Sequence, residues 1–250
     1  MEYQGAKEFI AIYNDLDKVM EEKLRGQEGL RNGSYAERVE SLYRKGKLSE
    51  GERALLRSYG ELRNAIVHEY GTHGRRQALI IAQPLETEVE KFKALAQRVA
   101  NPPLALTLPM TVKLKEMFTI GLSAKVDQVM AVMLEKGYSY VPILEKQVLA
   151  GVFSQDTIFT YLAERKEIRL REDMVMGSFG ELLPLDAHRT ERFEFLPRTA
   201  TAMDVVQRFR ADHGEDKRLE LIFFTESGKS TEAVLGMTTL WDLANYPTLA

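Results

Sequence analysis

Leu235-Gly236-Met237-Thr238-Thr239-Leu240-Trp241-Asp242-Leu243 leaves an apolar, β-branched segment through a glycine, passes two hydroxyl residues and enters an apolar-periodic run carrying an acid. This is the pattern of a strand turning into a helix with Thr238 or Thr239 at the N-cap. A helix N-terminus offers free N–H groups and the positive end of a dipole, which suit a phosphate. Asp242 falls three residues after Thr239, so both side chains reach the same mouth of the helix. A carboxylate there accepts from a ribose diol while Thr239 donates to a phosphate. A weaker copy stands at Ala150-Gly151-Val152-Phe153-Ser154-Gln155-Asp156-Thr157-Ile158, and two copies of one strand–turn–helix signature indicate an internal repeat. The plainer reading is a capped helix with a surface acid on its first turn.

Composition narrows the class. At 250 residues the chain is long enough for two or three units, each with its own core. Net charge is −3, and the first hundred residues hold 17 basic against 16 acidic side chains, so composition gives no obvious polyanion binder. The absence of cysteine rules out disulfides and thiolate metal sites and suits a reducing compartment. Met1-Glu2-Tyr3-Gln4 lacks the basic start of a signal peptide, and no apolar run reaches membrane-spanning length. The expectation is a cytoplasmic protein with no membrane segment.

Taken in order, residues 7–24 place Phe9, Ile12, Tyr13, Leu16, Val19, Met20 and Leu24 at helical spacing, and 26–29 break the run. A weaker helix carries Tyr35, Val39, Leu42 and Tyr43. Ser49 with Glu52 forms a capping-box pattern opening a third helix with the stripe Leu55, Tyr59, Leu62 and Ile66, closing at Gly71. Pro84 suits the first turn of a fourth, carrying Leu85, Val89, Phe92, Leu95 and Val99. Asn101-Pro102-Pro103 marks the boundary. Beyond it the order is strand 118–120, helix 125–136, strands 140–144 and 148–153, helix 155–165; then, after a charged connector, strand 193–196, helix 201–211, strands 219–225 and 233–237, helix 240–246.

This β-α-β-β-α pair resembles a tandem cystathionine-β-synthase (CBS) domain pair over roughly residues 105–248. The family motif is Gly, two apolar residues, Thr or Ser, two variable residues and Asp, and Gly236-Met237-Thr238-Thr239-Leu240-Trp241-Asp242 follows it. Gly151-Val152-Phe153-Ser154-Gln155-Asp156-Thr157 departs from it at the end, where Thr157 stands in for the ribose-binding Asp. Tyr140-Val141-Pro142-Ile143 fits the family's second strand, and its counterpart Leu221-Ile222-Phe223-Phe224 has no proline. The resemblance implies two pseudo-symmetric clefts for AMP, ADP, ATP or a related adenosyl regulatory ligand, with no cofactor required and no metal. It places Thr239 and Asp242 at the better cleft and Ser154 and Thr157 at one that has lost its carboxylate, with Thr238, Tyr140 and Pro142 as further nucleotide-binding candidates.

Arg63-Asn64-Ala65-Ile66-Val67-His68 resembles the signature of the HEPN superfamily (higher eukaryotes and prokaryotes nucleotide-binding), an all-α bundle, over about residues 7–100. Catalytic members are metal-independent ribonucleases that act as dimers. The resemblance gives His68 proton transfer at the 2′-hydroxyl or leaving oxygen, Arg63 stabilisation of the phosphorane, and Asn64 an orienting role. On a continuous helix Asn64 and His68 share a face and Arg63 lies about 140° from His68, so a second copy would complete the site. The plainer reading is an Arg and a His on the polar edge of an amphipathic helix. Arg44-Lys45-Lys47, Arg53, Arg57 and Arg75-Arg76 supply a local basic patch for RNA.

Two other signals fail on spacing. His68 and His73 are one residue too far apart for a zinc-protease pair. Phe223 stands where a phosphate loop needs its first glycine, so Glu226-Ser227-Gly228-Lys229 is a hairpin turn, and Met117, Met130, Met133, Met174 and Met176 are core filler. The expected fold is α+β: a HEPN-like four-helix-type bundle (1–100), a linker (101–103), CBS-like repeats at 104–170 and 193–250, and a connector (171–192). The expected protein is a homodimer that senses an adenine nucleotide and regulates the bundle, which either cleaves RNA or only dimerises and binds a partner.

Overall fold

A computed structural model describes residues 3–25, 33–70, 77–166, 170–211 and 217–245. The expected break at 26–29, the loop 71–76 and the end of the last helix at Tyr246 lie outside them. The chain divides into two units, Met1–Pro103 with Thr201–Asp204, and Leu104–Ala200 with Val205–Thr248.

Four helices carry the first unit: α1 (Gln4–Lys23), α2 (Tyr35–Arg44), α3 (Glu50–Ile66) and α4 (Glu86–Ala100). Ser34 and Ser49 each accept from the N–H three residues on, and Glu37 and Glu52 return the bond, closing two capping boxes. Phe9, Tyr59 and Phe92 meet at the centre, with ring centroids 4.6–5.9 Å apart. On α3 the buried stripe is Leu56, Tyr59 and Ile66, whereas the expected Leu55 is 50 % exposed. Three- and four-residue steps lead from Leu56 to Ile66, while Leu55 lies about 100° off that line. Leu85 is the N-cap of α4, so Pro84 precedes the first turn and does not form it.

The third helix stops five residues before the expected Gly71. Val67 is extended (φ −111°, ψ 115°) and begins strand β1 (Val67–Tyr70), which pairs antiparallel with β2 (Gln77–Ile80), His68 opposite Leu79. The hairpin substitutes for the next turn: Ile81 N–H donates to the Ile66 carbonyl at 2.9 Å. β-Branched Ile66 and Val67 favour this extended exit. The helical face that would bring Asn64 and His68 together is therefore absent.

The second unit opens with β3 (Val112–Lys113), followed by α5 (Val126–Lys136), β4 (Tyr140–Glu145), β5 (Val148–Ser154) and α6 (Gln155–Arg165). Then come β6 (Glu191–Pro197), α7 (Ala202–Arg210), β7 (Arg218–Thr225), β8 (Gly236–Thr239) and α8 (Leu240–Ala244). One sheet has the order β3-β8-β7-β6, with β6 and β7 parallel, and β4 and β5 form an antiparallel pair. The expected strand at 118–120 is a single parallel bridge, Ile120 to Ile143. The expected strand at 233–237 begins three residues later and ends two later, because the ladder to β7 runs from Gly236 to Thr239.

Alternation along β4 assigns its two faces. Val141 and Ile143, with Phe153 of β5, pack among Val126, Val129 and Met133 of α5. Tyr140 and Leu144, with Leu149 and Val152, face Leu221 and Phe223 of the larger sheet. Met117, Met133, Met174 and Met176 are buried, as core filler should be.

Each half of this unit receives a strand-like segment from elsewhere in the chain. Val112 pairs with Met237, and Val152 N–H donates to the Leu183 carbonyl at 3.0 Å. The two motif glycines sit under these crossings. A Cβ on Gly151 would lie 2.5 Å from the Leu183 carbonyl oxygen, and one on Gly236 2.9 Å from that of Val112.

Candidate functional site: a cavity at the start of the last helix

Thr239 ends β8 in extended geometry and caps α8. Its hydroxyl donates to Asp242 Oδ2 at 2.7 Å, its N–H donates to the same oxygen at 2.8 Å, and Asp242 N–H donates to Thr239 Oγ1 at 3.0 Å. The reciprocal cap occupies Thr239 and one carboxylate oxygen, and leaves Asp242 Oδ1 without a hydrogen bond among the described residues. Thr238, on the opposite face of β8, is fully buried: it donates to the Met110 carbonyl at 3.0 Å and lies 3.1 Å from Thr111 Oγ1. Its surroundings are structural.

Thr239 and Asp242 line a cavity of about 790 Å³, and Tyr140 enters the same wall from β4. That volume suits a drug-sized or cofactor-sized ligand. Phe118 and Tyr138 contribute near-parallel rings with centroids 6.1 Å apart and planes 23° apart, and Trp241 stands 76 % exposed at the rim. Aromatic faces of this kind stack on a base. Burial, and then a hydrogen bond to Glu220, push the Tyr140 hydroxyl above the usual phenol range. Tyr140 is therefore a hydroxyl at neutral pH and holds Glu220 to the wall.

Pro142 is buried in β4, where its carbonyl accepts from Ile120 N–H at 3.2 Å, and it does not reach the cavity. Ser154 and Thr157 are also buried, in a knot of their own. Ser154 Oγ donates to Glu191 Oε2 at 2.8 Å, and His188 Nδ1 meets the same oxygen at 2.6 Å. The His188 and Glu191 side chains are only 2 % and 6 % exposed, and His188 Nε2 is buried without a partner. A protein carboxylate thus faces the Ser154 cap, the counterpart of the Thr239 cap.

In the first unit, Arg63 and Asn64 stand on the last turn of α3. Arg63 Nη1 donates to Asn64 Oδ1 at 3.4 Å, its guanidinium lies 5.6 Å from the Tyr13 ring centroid, and its Nε is buried without a partner. His68 is on β1, and its side chain, with His73 and Arg75-Arg76, lies outside the described residues. Arg53 and Arg57 of the expected basic patch are both paired with Glu40.

Sequence reasoning missed Phe118, Tyr138, Trp241, Glu116, Glu220 and Lys136 on the cavity wall. The cluster Tyr138-Ser139-Tyr140 after the helix-ending Gly137 was a usable signal. Trp241 on α8 and Lys136 on α5 lie beside Asp242 and Gly137, whereas Glu116, Phe118 and Glu220 come from segments about a hundred residues apart, for which no local pattern exists.

Residues 111–164 match the family model of the CBS domain, so the chain carries a CBS domain there. None of the curated proteins matches the chain. Among solved structures, a CBS domain-containing protein of unknown function from Bacillus anthracis is 11 % identical, with 58 % of this chain and 91 % of that chain covered and a TM-score of 0.38. The CBS domain of a putative transporter from Clostridium difficile is 15 % identical, with 57 % and 92 % covered and a TM-score of 0.38. CbpB from Streptococcus agalactiae is 13 % identical, with 54 % and 75 % covered and a TM-score of 0.38. Among the described residues no helix is long and apolar enough to cross a membrane.

Proposed function

We propose that this protein is a regulatory sensor of an adenine nucleotide, in which residues 104–170 and 193–250 act as a tandem CBS pair. One cleft binds the ligand, and its occupancy controls the N-terminal helical region in a homodimer. The observation that carries this reading is Asp242 Oδ1, without a hydrogen bond among the described residues, on the wall of an aromatic-lined cavity, which supports a role as acceptor for a ribose diol. The Ser154 cleft takes no ligand in this reading, because Glu191 already occupies its donor. Ligand can shift the helical region only by binding one arrangement of the protein better than another. Calorimetry with AMP, ADP, ATP and S-adenosylmethionine tests the sensor: at least one binds with one site per chain, and Asp242→Ala abolishes it. Unchanged affinity in Asp242→Ala would place the ligand elsewhere.

A second reading gives the helical region a HEPN-type ribonuclease activity through Arg63, Asn64 and His68. The hydrogen bond between Arg63 and Asn64 at the end of α3 supports it, since two of the three side chains already meet. Purified protein assayed on RNA without metal, with and without ligand, beside Arg63→Ala and His68→Ala, decides between cleavage and a helical region that only dimerises or docks a partner. No cleavage in any ligand state removes the ribonuclease.

A further inference from the structure

The cavity at Asp242 has an unusual balance of charge for a nucleotide site. Glu116, Glu220 and Asp242 stand on its wall against one cation, Lys136, whose ammonium already pairs with Glu135 at 2.8 Å. Arg218 answers Glu220 at 3.1 Å and Lys115 answers Glu116 at 3.6 Å. Both of those cations are more than three-quarters exposed and stand outside the lining, so water screens what they offer to a ligand within. No cation pairs with Asp242 among the described residues.

The donors of the Thr239–Asp242 cap are committed as well. Thr239 Oγ1 gives its proton to Asp242, and Asp242 N–H gives its own to Thr239. Helix α8 has five residues in Leu240–Ala244, and the carboxylate of Asp242 already meets the positive end of its dipole. What remains for a ligand is an aromatic platform at Phe118 and Tyr138, the hydroxyls of Tyr138 and Ser139, an acceptor at Asp242 Oδ1, and an excess of negative charge.

We infer that this cavity selects an adenosyl ligand whose 5′ substituent is uncharged or cationic, and rejects nucleoside polyphosphates. The inference rests on the sensor reading above and assigns its ligand class. Base and ribose are held by stacking and by Asp242, and each added phosphate charge meets carboxylates at short range with little to offset it.

Calorimetry at low salt with adenosine, S-adenosylmethionine, AMP and ATP tests it on the wild-type protein. Adenosine and the sulfonium ligand bind more than tenfold tighter than ATP, with AMP between, and the gap narrows as salt rises. The double substitution Glu116→Gln/Glu220→Gln, which keeps the shape of the wall, improves ATP binding more than adenosine binding. ATP binding as tightly as adenosine, or tighter, overturns the inference while leaving the sensor intact. No binding by any of the four overturns both.

Discussion

At the scale of single residues, Gly151 and Gly236 owe their identity to the chain that crosses them. A methyl group at either position meets a backbone carbonyl, which cannot swing aside as a side chain can. Gly151→Ala and Gly236→Ala should each lower stability by about 1–3 kcal/mol, Gly151→Ala by more, read as shifts in urea midpoint with unchanged slope. The sequence marks both glycines as members of a strand–turn–helix signature, but the crossing partners Leu183 and Val112 are separated from them in the chain, so the cause is not legible locally. The cap between Thr239 and Asp242 is legible because its two members stand three places apart. The buried Glu191 was not, because nothing in Glu191-Arg192-Phe193 distinguishes an interior acid from a strand-edge one. Glu191→Ala leaves Ser154 with Thr157 Oγ1 at 3.2 Å but strands His188 Nδ1, at about 1–3 kcal/mol; Glu191→Gln retains an acceptor and should lose less in the same melt.

At the scale of elements, helices with local start signals were readable and elements ended by distant partners were not. Ser49 and Glu52 close their box as the spacing requires. Ser49→Ala should cost about 1 kcal/mol in a denaturation series. The end of α3 is fixed instead by Ile81 reaching back to the Ile66 carbonyl, so helical periodicity carried the expected element too far. The segment at 118–120 has strand-like residues but forms a single bridge. The ladder between β7 and β8 closes at Phe224 and Gly236, so the hairpin turn expected at 226–229 is instead part of a longer loop. That loop is held by Glu232, which accepts from Ser227 N–H at 2.7 Å and from its hydroxyl at 2.5 Å. Those bonds bring the Glu232 carboxyl down to about 2. A carboxyl lowered on folding adds stability above its unfolded value, and that contribution fades as pH falls from about 4.5 through about 2. Its side-chain carbon resonance should titrate near the lower value; a midpoint near the ordinary glutamate range would show that the loop does not hold in solution.

At the scale of the whole molecule, the division into a helical region and a mixed sheet region could be read from the change of period at Asn101-Pro102-Pro103. The exchange of segments within the sheet region could not, because strand pairing between residues far apart leaves no mark on either. The CBS match covers 111–164, yet β3, which opens it, pairs with β8 outside it. A fragment of residues 105–170 should therefore unfold without the cooperative transition of the full chain, and a sharp melt from that fragment would count against the pairing. The same crossing sets an order of events during synthesis. Val112 emerges from the ribosome long before Met237, and the sheet that needs both remains open until more than a hundred further residues have been made. The exposed edge of β7 must wait for β8, so this region acquires its structure late, in one closing step, and translational pauses before residue 236 will leave an unpaired strand edge open to chaperones or to neighbouring nascent chains.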